Sequence, residues 1–228
     1  MSKFATPTRF LDDGSRDAEG KPIGGTWYKP APTWENQQDF LNLKANMILS
    51  LIPGVARNVN NPTQGGRVLV AGAGFGFLVY RLHQSGYYAF GCDGTWARSE
   101  AQVRMPGLQD RMMQADVTLA ADLTALRTTI GIRNQRFAAV ITEDLLSCAD
   151  SAAEAQTMLT VLRAEAMPTN RANVIHFITM YDPSQPWSGT LSADQVNEGL
   201  YRTEAEWVTL VGNNAERIVN LSGMRIVR

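Results

Sequence analysis

Three glycines at alternating positions, Gly72, Gly74 and Gly76, interrupt an apolar stretch of this 228-residue chain. Residues 68–71 before them form the unbroken apolar run of a buried strand, and residues 78–82 after them have a helical pattern. Glycine allows a sharp turn after a strand and leaves no Cβ between the main chain and a ligand. A strand, a glycine turn and a helix N-terminus together predict a nucleotide-type pocket at the carboxyl edge of a parallel sheet.

The spacing of the glycines separates the ligand types that use such a turn. A P-loop places a Lys directly after its last glycine, and no Lys follows here, so a P-loop is excluded. A dinucleotide fingerprint requires a third glycine at the position of Phe77, where a ring would obstruct close packing of strand and helix. A nicotinamide-dependent oxidoreductase is therefore a disfavoured alternative.

Carboxylates follow the other predicted strands of the same region. Asp93 closes the second strand, Asp116 follows the third, and Glu143 and Asp144 come directly after the fourth. Glu143 and Asp144 lie at the mouth of the expected pocket, where a carboxylate could act as a general base. Each acid also has a structural explanation, because Asp-Gly is a common turn pair and a short acidic side chain often caps a helix.

Strand and helix patterns alternate along the rest of the chain. Continuous apolar runs predict strands at residues 68–71, 87–92, 137–142, 174–179, 217–221 and 224–227, and a short strand before Asp116. Helical periodicity predicts helices at residues 76–85, about 95–106, 119–129, 152–166 and 203–211, the last with Thr203 and Glu206 as a capping box. The apolar faces of two of these helices are predicted to contain Leu119, Leu123 and Leu126, and Met158, Leu159 and Leu162. This alternation predicts an α/β fold with a doubly wound, mostly parallel sheet covered on both faces.

Residues 1–62 are predicted to form an N-terminal extension, and residues 63–228 the α/β domain. Turn-forming residues dominate roughly the first 30 positions, which predicts an extended arm or a lid. Thr33 or Asn36 could cap a following helix, whose apolar stripe would contain Phe40, Leu41, Met47, Ile48 and Leu51.

The composition limits the classes of function. With 44% hydrophobic residues, 19% charged residues and a net charge of −1, the chain is typical of a globular protein for which nucleic acid is not the expected partner. No apolar run reaches the ~18 residues of a membrane span, and the N-terminus lacks the apolar core of a signal peptide, so we expect a cytoplasmic protein. Cys92 and Cys148 are expected to be buried free thiols. His83 and His176 lack metal-ligand neighbours, so no metal is expected, and His176 is predicted to be a hydrogen-bonded core residue.

From about residue 67 to residue 228, the glycine turn and the strand-end acids resemble the motifs of class I S-adenosylmethionine-dependent methyltransferases. The resemblance implies a seven-stranded sheet and a site for S-adenosylmethionine, with the glycine turn under the methionine part of this cofactor. An acid at Asp93 would accept hydrogen bonds from both ribose hydroxyls, and one at Asp116 would lie against the adenine amino group. The residues that the resemblance assigns to the cofactor all lie where predicted strands end: Gly72, Ala73, Gly74, Gly76, Asp93, Gly94, Asp116, Val117 and Glu143.

Two departures from the family pattern narrow the expected reaction. Val70 stands where the family usually has an acid that holds the amino end of the cofactor. The segment 142–145 lacks the prolines and the aromatic residue of enzymes that methylate base amines, and Cys148 lies too late to serve as a cytosine nucleophile. We therefore expect methyl transfer to a small-molecule or protein acceptor, with Glu143 and Asp144 as the candidate catalytic residues.

A second interpretation comes from a different class of protein. Val70, the bulky Phe75 and Phe77 beside the turn, and the missing catalytic signature are compatible with a methyltransferase-like fold that serves as a structural or assembly protein. In that case the N-terminal arm would contact a partner chain.

Overall fold

The computed structural model describes residues 10–12, 25–27, 34–93, 107, 110–149, 151–168, 173–178, 180, 202–212, 215–221 and 224–228. Gly94, the helix predicted at about 95–106 and the possible cap at Thr33 lie outside the described residues. Within the described part of the chain, no helix has both the length and the apolar character needed to cross a membrane.

The described elements follow the predicted alternation. The strands are β1 Phe10–Asp12, β2 Gly25–Trp27, β3 Arg67–Ala71, β4 Tyr88–Asp93, β5 Met112–Gln114, β6 Ala139–Glu143, β7 Val174–Ile178, β8 Arg217–Asn220 and β9 Arg225–Ile226. The helices are α1 Trp34–Leu51, α2 Phe77–Gln84, α3 Ala120–Thr129, α4 Ala152–Glu165 and α5 Glu204–Val211, with short 3₁₀ turns at Pro62–Gln64 and Leu146–Cys148.

Seven strands form one sheet in the order β5-β4-β3-β6-β7-β8-β9, while β1 and β2 pair antiparallel in a separate small sheet. The strands β3 to β8 run parallel, and only the edge strand β9 pairs antiparallel with its neighbour. The order changes direction between β3 and β6, which is the position where open α/β sheets form their ligand crevice. The predicted doubly wound, mostly parallel sheet is confirmed.

The sheet separates two apolar layers. On one face, alternate residues such as Val68, Val70 and Ile141 pack with α1 and α2. On the other face, residues such as Leu69 and Val140 pack with α3, α4 and α5. Both faces of the central strands are therefore buried, which explains why their sequences are continuous apolar runs instead of alternating ones.

Most predicted helix features are confirmed. Thr203 and Glu206 form the predicted capping box at the start of α5, and Met158, Leu159 and Leu162 of α4 are fully buried. The prediction for Leu119 is wrong, because this residue is the extended N-cap of α3 and is 51% exposed. Its neighbours on the predicted face, Leu123 and Leu126, are buried as expected.

The apolar face of α1 is displaced from the predicted stripe. Leu41 and Ile48 are buried as predicted, but the stripe continues through Ala45 and Ile52. Met47 and Leu51 are only half-buried, and the side chain of Phe40 lies outside the described residues. The spacing of the buried set, i, i+4, i+7 and i+11, is that of a single helix face.

A buried polar network crosses the apolar layer under α3, α4 and α5. The ring nitrogens of His176 lie 3.1 Å from Thr142 Oγ1 and 3.1 Å from Glu216 Oε2, which confirms the predicted core role of this histidine. Arg163 donates to both oxygens of Glu216, at 2.6 and 2.9 Å. Burial alone would raise the pKa of Glu216, but the hydrogen bonds from His176 and Arg163 outweigh it and lower the pKa to about 2. Burial lowers the pKa of His176, and the opposing effect of Glu216 does not reverse this.

This network predicts that acid destabilises the protein in two steps. Below about pH 6.5 the unfolded chain protonates His176 while the native state does not, and between pH 4.5 and about 2 the same holds for Glu216. The Glu216 step corresponds to at most about 3 kcal/mol. Urea unfolding from pH 8 to pH 3 should show a steadily falling free energy of unfolding.

The variant Glu216→Gln should lose the step below pH 4.5. The matched control is Glu206→Gln, which removes an exposed carboxylate whose pKa is also lowered, by hydrogen bonds from Thr203; it should change the pH profile little. A stability that stays constant between pH 7 and pH 4 would contradict the proposed linkage.

Candidate functional site

The glycine turn joins β3 to α2 at the carboxyl edge of the sheet. Gly72, Gly74 and Gly76 all have left-handed backbones, with φ of 75°, 51° and 76°. Gly76 is the N-cap of α2, and its N–H donates to the Ala73 carbonyl at 2.8 Å. Three left-handed residues at alternate positions explain why this turn requires glycine in particular.

The end of β4 holds the turn in place. The carbonyl of Cys92 accepts the N–H groups of Gly72 and Ala73, at 3.0 and 3.2 Å. The carboxylate of Asp93 accepts the N–H of Gly74 at 2.7 Å, and Asp93 is only 8% exposed. The predicted meeting of Asp93 with the glycine turn is therefore present, and the acid also fixes the conformation of the turn.

The first two glycines have different surroundings. A Cβ on Gly72 would lie 2.9 Å from Leu145 Cβ and 3.0 Å from the Glu143 carbonyl, so this glycine is needed because the chain after β6 passes close by. Apart from its two chain neighbours, no described residue has an atom within 4 Å of a Cβ on Gly74. The space next to Gly74 is thus open to a ligand on the side of the described chain.

The aromatic rings beside the turn belong to the core. Phe75 and Phe77 are 9% and 7% exposed, and their ring centroids are 5.7 Å apart. Both pack in the apolar layer with residues of α1 and α2, including Leu41 and Val79. The rings therefore belong to the core and do not occupy the open space next to Gly74.

Asp116 lies in the turn after β5, the strand that neighbours β4. Its Oδ1 accepts hydrogen bonds from the N–H and the hydroxyl of Thr118, at 2.9 and 2.7 Å, and its own N–H donates to Asp122 at 2.9 Å. Val117 is 2% exposed and packs in the core against the α3 side. Ligand contacts by Asp116 and Val117 stay predictions, and the structure shows that Asp116 shapes its own turn.

Glu143 ends β6 and forms an ion pair with Lys44 of α1. The side chain of Lys44 is 5% exposed and that of Glu143 is 19% exposed. Sequence reasoning missed Lys44. The signal was available, because Lys44 lies three residues after Leu41 and four before Ile48, on the apolar face of a helix where a lysine requires a partner.

Asp144 has a left-handed backbone, with φ of 54°, which is uncommon for a residue other than glycine. Its N–H donates to the Phe177 carbonyl at 2.8 Å, and its Oδ1 accepts the hydroxyl of Ser147 at 2.7 Å. The carboxylate of Asp144 therefore stabilises the short 3₁₀ turn that follows it. A catalytic role for Glu143 or Asp144 stays a prediction.

Two cysteines, Cys92 and Cys148, also lie near this edge. Burial, together with the nearby charges of Asp93 and Glu165, raises the pKa of the Cys92 thiol far above its usual range, so this thiol is unreactive. Cys148 is half-buried and its thiol donates to the Asp144 carbonyl at 3.4 Å, whereas its full burial was expected. No group of three or more metal-ligating side chains occurs in the described part of the chain.

Comparison with known proteins gives structural matches only. Neither the scan against protein-family models nor the search of curated proteins finds a match. An O-methyltransferase family protein from Burkholderia thailandensis aligns with 80% of this chain at 15% identity and a TM-score of 0.56. A chain of a complex that contains the Haloferax volcanii Trm112 methyltransferase activator aligns with 82% of this chain at 14% identity and a TM-score of 0.53, and 73% of that chain is covered.

The mitomycin 7-O-methyltransferase MmcR aligns with 75% of this chain at 15% identity and a TM-score of 0.50. The chain spans about half the length of two of these matches, 51% of the Burkholderia protein and 46% of MmcR. These likenesses establish the fold, and the chain has the class I methyltransferase fold that its motifs resemble.

Asp144 offers a test of the local structure of this edge. Asp144→Ala should lower the free energy of unfolding by about 1–3 kcal/mol, because alanine is strained in the left-handed region and cannot bond Ser147. Asp144→Asn keeps an acceptor oxygen and tolerates this backbone, so its loss should be under about 1 kcal/mol. Urea unfolding of both variants is the measurement, and equal losses would contradict the stated role of Asp144.

Proposed function

We propose that this protein binds S-adenosylmethionine and transfers its methyl group to a small-molecule or protein acceptor. The observation that carries the proposal is the Asp93 carboxylate bonded to the N–H of Gly74, whose Cβ position is open on the side of the described chain. The Asp93 carboxylate, a hydrogen-bond acceptor, and the main chain of Gly74 thus lie at the point where the strand order of the sheet changes direction.

The residues at this edge fit the adenosyl part of such a ligand. A carboxylate has about four acceptor sites, so the bond from Gly74 to Asp93 is compatible with further hydrogen bonds from two ribose hydroxyls. Gly72, Ala73, Gly74 and Gly76 would lie beneath the methionine part, and Asp116 would face the adenine. Bound S-adenosylmethionine supplies an electrophilic methyl group on a sulfonium.

The contribution of the chain to such a reaction would be mainly positional. Methyl transfer is an in-line displacement, so holding the acceptor in line supplies much of the rate enhancement. A base is needed only where the acceptor must lose a proton. Glu143 and Asp144 are our candidates for that role, and the ion pair with Lys44 and the bond to Ser147 orient them.

A non-nucleobase acceptor is supported by two observations. The segment after β6 lacks the residues that shape a flipped base, and the similar solved structures include a mitomycin 7-O-methyltransferase. We also propose that a partner chain contacts the N-terminal arm. The matched Haloferax structure is itself a complex with an activator protein.

The alternative is an inactive fold that serves in assembly. Its support included the two phenylalanines beside the turn, and burial of both rings in the α1–α2 layer weakens that support. Calorimetric titration with S-adenosylhomocysteine separates the two functions. Binding favours the enzyme. The absence of any binding heat at millimolar ligand would exclude the proposed enzymatic function. NADH in the same assay tests the oxidoreductase alternative.

Asp93→Ala should weaken the binding of S-adenosylhomocysteine by about 1.5–3 kcal/mol, the scale of hydrogen bonds to a charged group. Asp93→Asn keeps an oxygen that can accept the N–H of Gly74 but removes the charge, so its loss should be smaller. Calorimetry gives both affinities, and thermal melting of each variant reports whether the fold is retained. Unchanged affinity in a folded Asp93→Ala variant would contradict the proposed ribose contact.

Gly74→Ala should weaken binding of the same ligand at least tenfold, because the new methyl group enters the open space. The matched control is Gly131→Ala, since Gly131 also has a left-handed backbone, with φ of 77°, and no described atom within 4 Å of its Cβ position. Both variants carry a similar strain of about 1–2 kcal/mol, but Gly131 follows α3, away from the glycine turn. Equal ligand affinities of the two variants would place the ligand elsewhere.

A further inference from the structure

Lys44 is a charged residue within the buried face of α1. It is 4% exposed and lies among Leu41, Ala45 and Ile48, which are 3%, 1% and 0% exposed. Burying an ammonium group costs several kcal/mol unless a charged partner compensates for it. Glu143 is that partner, and it comes from a different element, the end of β6. The pair therefore connects α1 to the carboxyl edge of the sheet.

The register of the sheet places this ion pair beside the glycine turn. Val70 pairs with Ile141 and Ala71 with Thr142, so Glu143 is level with Gly72. The carbonyl of Glu143 would lie 3.0 Å from a Cβ on Gly72. Because side chains alternate along a strand, Glu143 is on the same face as Ile141 and Val70, one step nearer to the edge.

The strand β3, which pairs with β6, has no charged side chain next to Glu143 on this face. Val70 and Ile141 are both fully buried in the apolar layer with α1 and α2. The Lys44–Glu143 pair therefore lies next to apolar side chains of β3 and β6 on this face of the turn. Glu143 is its more accessible half, at 19% exposed against 5% for Lys44.

An ion pair has no net charge and so does not attract a single cation or anion strongly. Its two ends instead complement a group that carries both charges, such as the α-ammonium and α-carboxylate of an amino acid. Charge-assisted hydrogen bonds of this kind are about twice as strong as neutral ones. A zwitterion is the amino-acid end of the ligand in the function proposed above.

We propose that the Lys44–Glu143 pair is the subsite for the amino-acid end of the ligand. Glu143 accepts hydrogen bonds from the α-ammonium, which leaves Asp144 as the candidate base, and Lys44 donates to the α-carboxylate. This inference rests on the proposed function, and it adds α1 to the pocket as the element that supplies the cation.

Three ligands test the subsite by calorimetry. S-Adenosylhomocysteine carries both charges, its decarboxylated analogue carries the ammonium alone, and methylthioadenosine carries neither. Wild-type protein should bind S-adenosylhomocysteine roughly tenfold to a hundredfold more tightly than methylthioadenosine. Lys44→Met should weaken S-adenosylhomocysteine by roughly tenfold or more while leaving the decarboxylated analogue no weaker, and Lys44→Arg should restore part of the loss.

Two further variants separate binding from folding. Lys44→Met/Glu143→Gln leaves no unpaired buried charge and should bind S-adenosylhomocysteine and methylthioadenosine with nearly equal affinity. Arg127→Met breaks another buried ion pair, with Glu165 at 3.3 Å, in the opposite layer. It should lower the melting temperature and leave the preference between the ligands unchanged.

Each remaining outcome has a defined meaning. If wild-type protein binds S-adenosylhomocysteine and methylthioadenosine equally, or if Lys44→Met weakens all three ligands alike, the subsite is wrong while the proposed function stands. If wild-type protein binds none of the three, the proposed function is wrong, and the subsite falls with it.

Discussion

The attachment of the glycine turn to the end of β4 is the contact on which the rest of the site depends. One carbonyl, that of Cys92, accepts two consecutive N–H groups of the turn, and the carboxylate of Asp93 accepts a third from Gly74. A turn with three left-handed residues has little intrinsic preference for one shape, because glycine is conformationally permissive. The strand end selects that shape. Asp93 is consequently also the residue that holds the turn on which a ligand would lie.

Three sets of buried charges in the described residues form ion pairs, and they differ in where they are placed. The Arg163–Glu216–His176 network and the Arg127–Glu165 pair lie inside the layer under α3, α4 and α5. Buried networks of this kind cost much to desolvate and are stable only when their geometry is satisfied. The Lys44–Glu143 pair has a similar origin but lies at the edge of the sheet. Its partial exposure makes it the pair that an incoming zwitterion could meet.

The order of strands and helices could be predicted from the sequence because parallel strands that are buried on both faces have continuous apolar sequences. The capping box at Thr203 and Glu206 was equally visible, since it depends on side chains three residues apart. Two failures differ in kind, since one is local and the other is a contact between distant elements. Leu119 fits the helical period but takes an extended cap conformation, and Lys44 has its partner 99 residues away. Local patterns contain no information about which element will approach the end of β6, so Asp144 and Glu143 could be located but not given partners.

The three glycines were predicted as one motif, yet the structure gives each a separate reason. Gly72 is required by the close approach of the chain after β6, Gly74 by its left-handed backbone, and Gly76 by the left-handed cap of α2. A dinucleotide site would need a further glycine at the first residue of α2, so that the helix can approach the strand closely. That residue is Phe77, whose buried ring packs in the layer of α1 and α2. Because Phe77 helps to join these two helices, the same side chain that disfavours a dinucleotide also helps to place α1, and with it Lys44, beside the pocket.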